Sequence, residues 1–379
     1  MSPAPIGSDP ASPAPSIAHG DRVAVTGAAE FIGSAVVRAL LARGAHVVAL
    51  VEPDGDERNL EDLDVERISL DVRDADGVMA ACRDARFIFH LAAIYRFWAR
   101  RPKDFYDVNV GGVLNVLEAS RRGACERVVY TSTVGVLGLD GAAEGKPADE
   151  TCYADVAHLF GLYKRTKYVA EHEVLRAAAQ GVPVSLVLPT FPLGPRDTRP
   201  TPTGKLVLDF LNGRIPAFVD TTLNVVHVDD LATGHLLALE RGAVGRSYII
   251  GGENLGMGTF LADLARCTNL PAPKIQVPRA AALSVGALSQ MVEGRLLRRE
   301  PSVALEAARM STTNMMFDDR RARDELGHSP RPAVEALTDS ARWFVAHGYV
   351  KAKRASRIRF STPASAATGE QVGAGRRAP

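Results

Sequence analysis

Short apolar, β-branched runs alternate with stretches of helical periodicity along the first half of the chain. That alternation limits the architectures open to it more than any other feature. The runs are Arg22–Thr26, His46–Val51, Glu66–Leu70, Arg86–His90, Arg127–Thr131 and Val184–Leu188. Between them the spacing predicts helices over Ile32–Arg43, Ala75–Cys82, Asp104–Arg121 and Leu162–Gln180. Strands that are apolar on both faces need cover on both faces. Strand–helix–strand units supply it, so the expected fold class is α/β, a parallel sheet with right-handed crossovers.

After about Pro189 the rhythm changes. Residues 192–224 are rich in Pro, Gly and Thr, and short helices follow at Val228–Leu239 and Thr259–Cys267, with one short strand at Ser247–Ile250. The expected domains are 21–190 plus the Val225–Leu239 segment for the sheet, and mainly 191–348 for a smaller substrate lobe over the carboxyl ends of the strands. In open α/β sheets the ligand cleft lies there. Residues 1–20 read as a disordered lead and 349–379 as a disordered basic tail, from their Pro, Ala, Ser and Gly content.

Lys plus Arg (45) nearly balances Asp plus Glu (44), which gives no basic field for nucleic acid. The four cysteines, Cys82, Cys125, Cys152 and Cys267, show no CxxC pairing. No metal site or disulfide framework is expected, and a reducing, cytoplasmic compartment fits. The uncharged run Ala280–Val292, at ~1.5 Å per residue, is too short to cross a ~30 Å hydrocarbon core. It reads first as a buried helix and second as a peripheral membrane contact beside Arg295, Arg298 and Arg299.

Residues 26–33, TGAAEFIG, join the first strand to the first helix. A glycine turn feeding a helix N-terminus suits a diphosphate, because free N–H groups and the helix dipole both favour an anion. Gly27 permits the tight turn and Gly33 permits close packing of helix on strand. Phe31 and Ile32 lie between them at the helix start. The middle position, where backbone should approach the diphosphate, is Glu30. Glu52, ending the second strand, stands where a carboxylate binds an adenosine ribose diol, which favours NAD; Arg58 nearby leaves NADP open. Asp71 and Val72 are placed to frame an adenine, and Leu91, Ala92 and Ala93 give room for a cofactor.

Tyr163 and Lys167 form a YxxxK pair that shares one helical face. A lysine ammonium beside a phenol stabilises the phenolate, making the tyrosine a usable acid or base near neutral pH. A second copy, Tyr349 and Lys353, lies in the tail and reads as chance. Thr133, with Ser132 second, offers a hydroxyl at a strand end to a substrate oxygen. Asn109 is a candidate to hold a relay water towards Lys167, or simply to fix a helix.

Together these residues resemble the extended short-chain dehydrogenase/reductase family, from Arg22 to about Gly348. The segments HLAAIYRFWAR, GLYKRTKYVAE, GPRDTRPTPTGKLVLDFLNGRIPAFVDTTLNVVHVDD and YIIGGENL are similar to the hopanoid-associated sugar epimerase subgroup, itself similar to dihydroflavonol 4-reductases. The resemblance implies a Rossmann doubly wound sheet and an NAD(P)-dependent epimerase or oxidoreductase acting on a small-molecule alcohol or ketone, sugar-like or from a hopanoid pathway. It implies Tyr163 as acid/base, Lys167 on the nicotinamide ribose and Thr133 on the substrate oxygen. It also implies Pro189 beside the cofactor and a homodimer through the two long helices. Val134-Gly135 after Thr133 replace the Asp-Glu pair of sugar dehydratases, and Pro189-Thr190-Phe191 stands where many sugar epimerases carry asparagine. The subgroup usually has glycine at position 30 and often arginine at 52; both are Glu here. A carboxylate ~4 Å from a diphosphate repels it by about 1 kcal/mol in water and about 4 kcal/mol at an effective dielectric of 20. Glu30 is therefore expected to weaken cofactor binding unless it swings outward, or to mimic the phosphate by taking the N–H groups itself. A non-catalytic ligand-binding scaffold is the alternative that Glu30 motivates.

Overall fold

The computed structural model describes residues 15–96, 101–139, 141, 144–289, 291, 309 and 312–360. Its centre is a seven-stranded parallel sheet. In chain order the strands are β1 (Arg22–Thr26), β2 (His46–Val51), β3 (Glu66–Ser69), β4 (Phe87–His90), β5 (Arg127–Thr131) and β6 (Val184–Pro189), with β10 (Ser247–Ile250) far later. They lie side by side as β10-β6-β5-β4-β1-β2-β3. The order reverses between β1 and β4, the switch point of a Rossmann fold.

Alternation along each strand sends neighbours to opposite faces. Val23 and Val25 of β1 join one buried layer with α1 (Phe31–Leu41) and α7 (Val228–Glu240). Ala24 of β1 joins the other, with α2 (Ala75–Cys82), α4 (Gly112–Arg122) and α5 (Leu162–Ala179). α4 continues α3 (Lys103–Tyr106) through a π-turn over Asp107–Gly111.

The lobe is a three-stranded sheet, β7 (Phe191–Leu193), β9 (Thr222–His227) and β11 (Glu253–Gly256), packed with α6 (Pro202–Leu211), α8 (Met257–Thr268) and α10 (Ala333–Ala346). A parallel pair, β8 (Ala217–Phe218) and β12 (Ile275–Gln276), completes it.

Three expectations are corrected. Ser247–Ile250 belongs to the main sheet: Ile250 pairs with Pro189 and extends the edge beyond β6. The chain does not loosen at Tyr349, because Val350 and Ile358 are buried in the lobe around the short α11 (Ala352–Ala355), and the Tyr349 hydroxyl donates to the Thr198 carbonyl at 2.6 Å. Residues 1–14 and 361–379 lie outside the described residues. The Ala280–Val292 run does form a helix, α9 (Arg279–Ser289), but it is largely exposed, with Leu288 59% and Met291 54% accessible. Arg295, Arg298 and Arg299 lie outside the described residues. No described helix is long and apolar enough to cross a membrane.

Candidate active site

The fingerprint turn closes where β1 meets α1. Gly27 adopts φ +67°, and a Cβ there would sit 2.9 Å from the Ala92 amide nitrogen. A Cβ on Gly33 would run into the Gly27 carbonyl oxygen. Both glycines are thus required by close backbone approach, as the motif predicts. Thr26 ties the turn to the next strand end. Its Oγ1 accepts N–H bonds from Leu91 and Ala92, each at 3.1 Å, and lies 2.8 Å from His90 Nδ1. With the oxygen accepting twice, the hydroxyl proton goes to Nδ1, and His90 keeps its own proton on Nε2. Burial, aided by the Lys167 charge, pulls the imidazole down to about 3, so it is neutral. Neither Thr26 nor His90 was flagged by motif; a polar pair at adjacent carboxyl strand ends was the available signal.

Glu30 is the N-cap of α1, yet its side chain makes no capping bond. It pairs instead with Arg199, so it does not mimic a phosphate by taking the helix amides. The amides of Phe31, Ile32 and Gly33 open α1 and have no carbonyl one turn earlier to bond. At the carboxyl end of β6 the Thr190 hydroxyl, just past Pro189, is buried with no hydrogen-bond partner among the described residues. Open helix amides, a glycine cradle and an orphaned hydroxyl together fit a dinucleotide. Ala93 is half-buried beside Ala92.

Glu52 stands exposed directly after β2. Arg58 is held by Asp56 at 2.6 Å and reaches the Thr198 carbonyl at 3.3 Å. Asp71 grips Arg73, which holds its carboxyl below the usual range. Val72 is buried, and its carbonyl accepts from Asn115 at 2.9 Å.

At the other end Tyr163 lies in the first turn of α5, its ring 4.7 Å from that of Tyr95. One turn on, Lys167 is fully inside. Its Nζ donates to the Thr131 carbonyl at 2.6 Å and stands 4.4 Å from the Tyr130 ring centroid. Burial pulls this ammonium down to about 7, while Glu171 pushes it back up. Glu171, one turn further on the same face, is 0% exposed. It accepts from the Ser132 hydroxyl and, at 2.9 Å, from Tyr153. Burial raises its own pKa against those two donors and Lys167. Sequence reasoning missed Glu171 and Tyr153, because a helical glutamate ordinarily reads as solvated.

Ser132 is thereby spent inside the fold. Thr133 is half-buried, and its Oγ1 accepts from Gly135 N at 3.1 Å, capping a short turn and leaving its O–H to donate. That turn meets α5 beside Tyr163, since a Cβ on Gly135 would contact the Lys164 side chain at 3.3 Å. Asn109 is buried in the π-turn. Its Oδ1 accepts from Ile94 N at 2.7 Å, and its Nδ2 donates to the Ile94 carbonyl and to Thr166 Oγ1 at 3.0 Å. It therefore ties the segment after β4 to α5.

The NAD dependent epimerase/dehydratase family model matches residues 23–251. The chain belongs to that family. It lies within the extended short-chain dehydrogenases/reductases, as its motifs imply. It is 40% identical over 341 residues to a putative dihydroflavonol 4-reductase of Synechocystis, covering 88% of this chain and 98% of that one. It is 33% identical over 327 residues to sterol demethylase protein B of Methylococcus capsulatus, covering 86% and 99%. The crystal structure of gox2253 superposes with a TM-score of 0.78 at 40% identity, covering 88% of this chain and 100% of that one.

Proposed function

We propose that this chain is an NAD-dependent oxidoreductase that interconverts a secondary alcohol and a ketone on a sugar-like or isoprenoid-derived compound. The observation that carries the reading is the Lys167 ammonium, fully buried one turn from Tyr163 and fixed on the Thr131 carbonyl. A charge held there stabilises a phenolate at Tyr163.

A bound nicotinamide supplies the hydride in one direction and accepts it in the other. Tyr163 would give its phenolic proton to the carbonyl oxygen on reduction, and in reverse would take that proton from the alcohol. Thr133 donates its hydroxyl hydrogen to the same oxygen and orients it. Lys167 would hold positive charge near the phenolate and would be the residue to hydrogen-bond a nicotinamide ribose. Asn109 and Thr166 hold α5 in register with the segment after β4. Fixed dipoles of this kind act strongly on charge developing at oxygen where water is excluded.

Ketone reduction is favoured over dehydration and epimerisation. Val134 and Gly135 cannot act as acid and base, and Pro189-Thr190-Phe191 lacks the asparagine of nucleotide-sugar epimerases. The similarity to a putative dihydroflavonol 4-reductase points the same way. Glu52, together with the engagement of Arg58 by Asp56, favours NAD over NADP. Glu30 lowers dinucleotide affinity relative to a glycine there. Loss of NADH and NADPH absorbance over a panel of cyclic, sterol-like and sugar-like ketones tests the reading. Turnover of at least one ketone with NADH supports it; binding of ketones without any turnover by either cofactor favours the non-catalytic scaffold.

Two associations belong to the same proposal. Leu114 is exposed on α4, which suits a homodimer through α4 and α5; a purely monomeric sedimentation profile would remove it. Exposed Leu288 on α9 suits a peripheral membrane contact; a protein that stays with the soluble fraction in liposome flotation at low salt would remove that.

A further inference from the structure

Glu30 and Arg199 are 169 residues apart in sequence, yet their side chains meet at the mouth of the fingerprint turn. Both remain close to half exposed. The arginine is delivered by anchored backbone. Arg196 pairs with Asp229 at the start of α7. Asp197 is buried and accepts from Thr201 N and Oγ1. The Thr198 carbonyl takes Tyr349 and Arg58, and Thr198 Oγ1 accepts from Asn59 Nδ2 at 3.3 Å. Asn59 in turn donates to the carbonyl of Ala29, the residue before Glu30, at 3.0 Å. The Arg199 segment is therefore stitched to the turn itself.

We propose that Arg199 is a diphosphate ligand of the cofactor site, and that Glu30 and a bound diphosphate compete for its guanidinium. The proposal rests on the dinucleotide reading above. An arginine fork matches phosphate oxygens as well as carboxylate oxygens. An ion pair this exposed is weakly held, so a more highly charged anion displaces or shares it readily. While paired, the two side chains present no net charge to the cofactor. Removing either one exposes the other: a lone arginine attracts the diphosphate and a lone glutamate repels it. A unit charge ~4 Å away changes affinity by roughly fivefold in water to nearly a thousandfold at an effective dielectric of 20.

Calorimetric NADH titration of four full-length proteins tests this: wild type, Glu30→Gln, Arg199→Ala and the double variant, each checked by thermal melting. The expected pattern is tighter binding by at least about fivefold for Glu30→Gln, weaker binding by at least about fivefold for Arg199→Ala, and near-wild-type binding for the double variant. Arg199→Ala binding like wild type would overturn the proposal, as would both single variants shifting in the same direction. Glu30→Gly serves as the second variant at that position, with the same expected sign. Should none of the four proteins bind NADH or NADPH, the dinucleotide reading itself fails, and this inference with it.

Discussion

The Ser132 hydroxyl donates to the Glu171 carboxylate in the wall between β5 and α5, which separates two neighbouring hydroxyls into different tasks. Ser132 satisfies a buried carboxylate, and half-buried Thr133 caps a short turn and keeps its O–H to donate. Ser132→Ala leaves Glu171 short of a donor in a water-free site and destabilises the fold by about 1–3 kcal/mol. Thr133→Ala loses only the cap on the half-buried Gly135 amide, at about 0.5–2 kcal/mol and less than a buried carboxylate left short of a donor, while lowering kcat by roughly 10²–10³. Urea unfolding and steady-state kinetics on both variants check the division. Equal effects on stability would refute it.

Lys167 predicts a pH-dependent stability. Its ammonium titrates at about 7 in the fold, against 10.5 when exposed. Between those values the unfolded chain holds a proton that the folded chain has released, so stability from this group rises with pH across that window. Below pH 7 both states are charged, and the cost of burying the ammonium stands in full. Lys167→Met is therefore expected to gain melting temperature over wild type at pH 6, with a gain that shrinks towards pH 10. A gain that is flat with pH would mean that burial is not what shifts this lysine.

Gly33 predicts a steric requirement. A methyl group there strikes the Gly27 carbonyl oxygen, and backbone cannot give way as a flexible side chain can. Gly33→Ala forces α1 off the turn, at an overpacking cost of about 1–3 kcal/mol, and lowers NADH affinity by more than about tenfold. Thermal melting and NADH titration together check this; unchanged affinity would place the diphosphate away from this turn.

The sheet was legible because its first six strands are apolar runs bounded by turn residues, four of them followed by a helical pattern. β10 carries the same chemistry in Ser247–Ile250, but its place beside β6 depends on a long-range pairing that no local pattern encodes. α6 hid in a Pro- and Thr-rich stretch. Its Pro202 and its Thr201 cap are helix-start signals that resemble a loop until the helix is seen. Tyr163, Lys167 and the two glycines stood out by their spacing, and Thr133 as a hydroxyl at a strand end. Asn109 was visible too, but its partners, Ile94 and Thr166, come from different segments and show it to be a tie. Glu171 and Arg199 were not visible. The first reads as a solvated helical residue until burial is known, and the second acts through a contact between remote parts of the chain.

Tyr163→Phe is the most direct measurement. It removes one oxygen atom and keeps the ring that packs on Tyr95. On any ketone that the wild type reduces with NADH, turnover of the variant is expected to fall by about 10²–10⁴-fold, with NADH affinity and melting temperature unchanged. Turnover within about tenfold of wild type, in a variant that still binds NADH, would contradict Tyr163 as the acid/base.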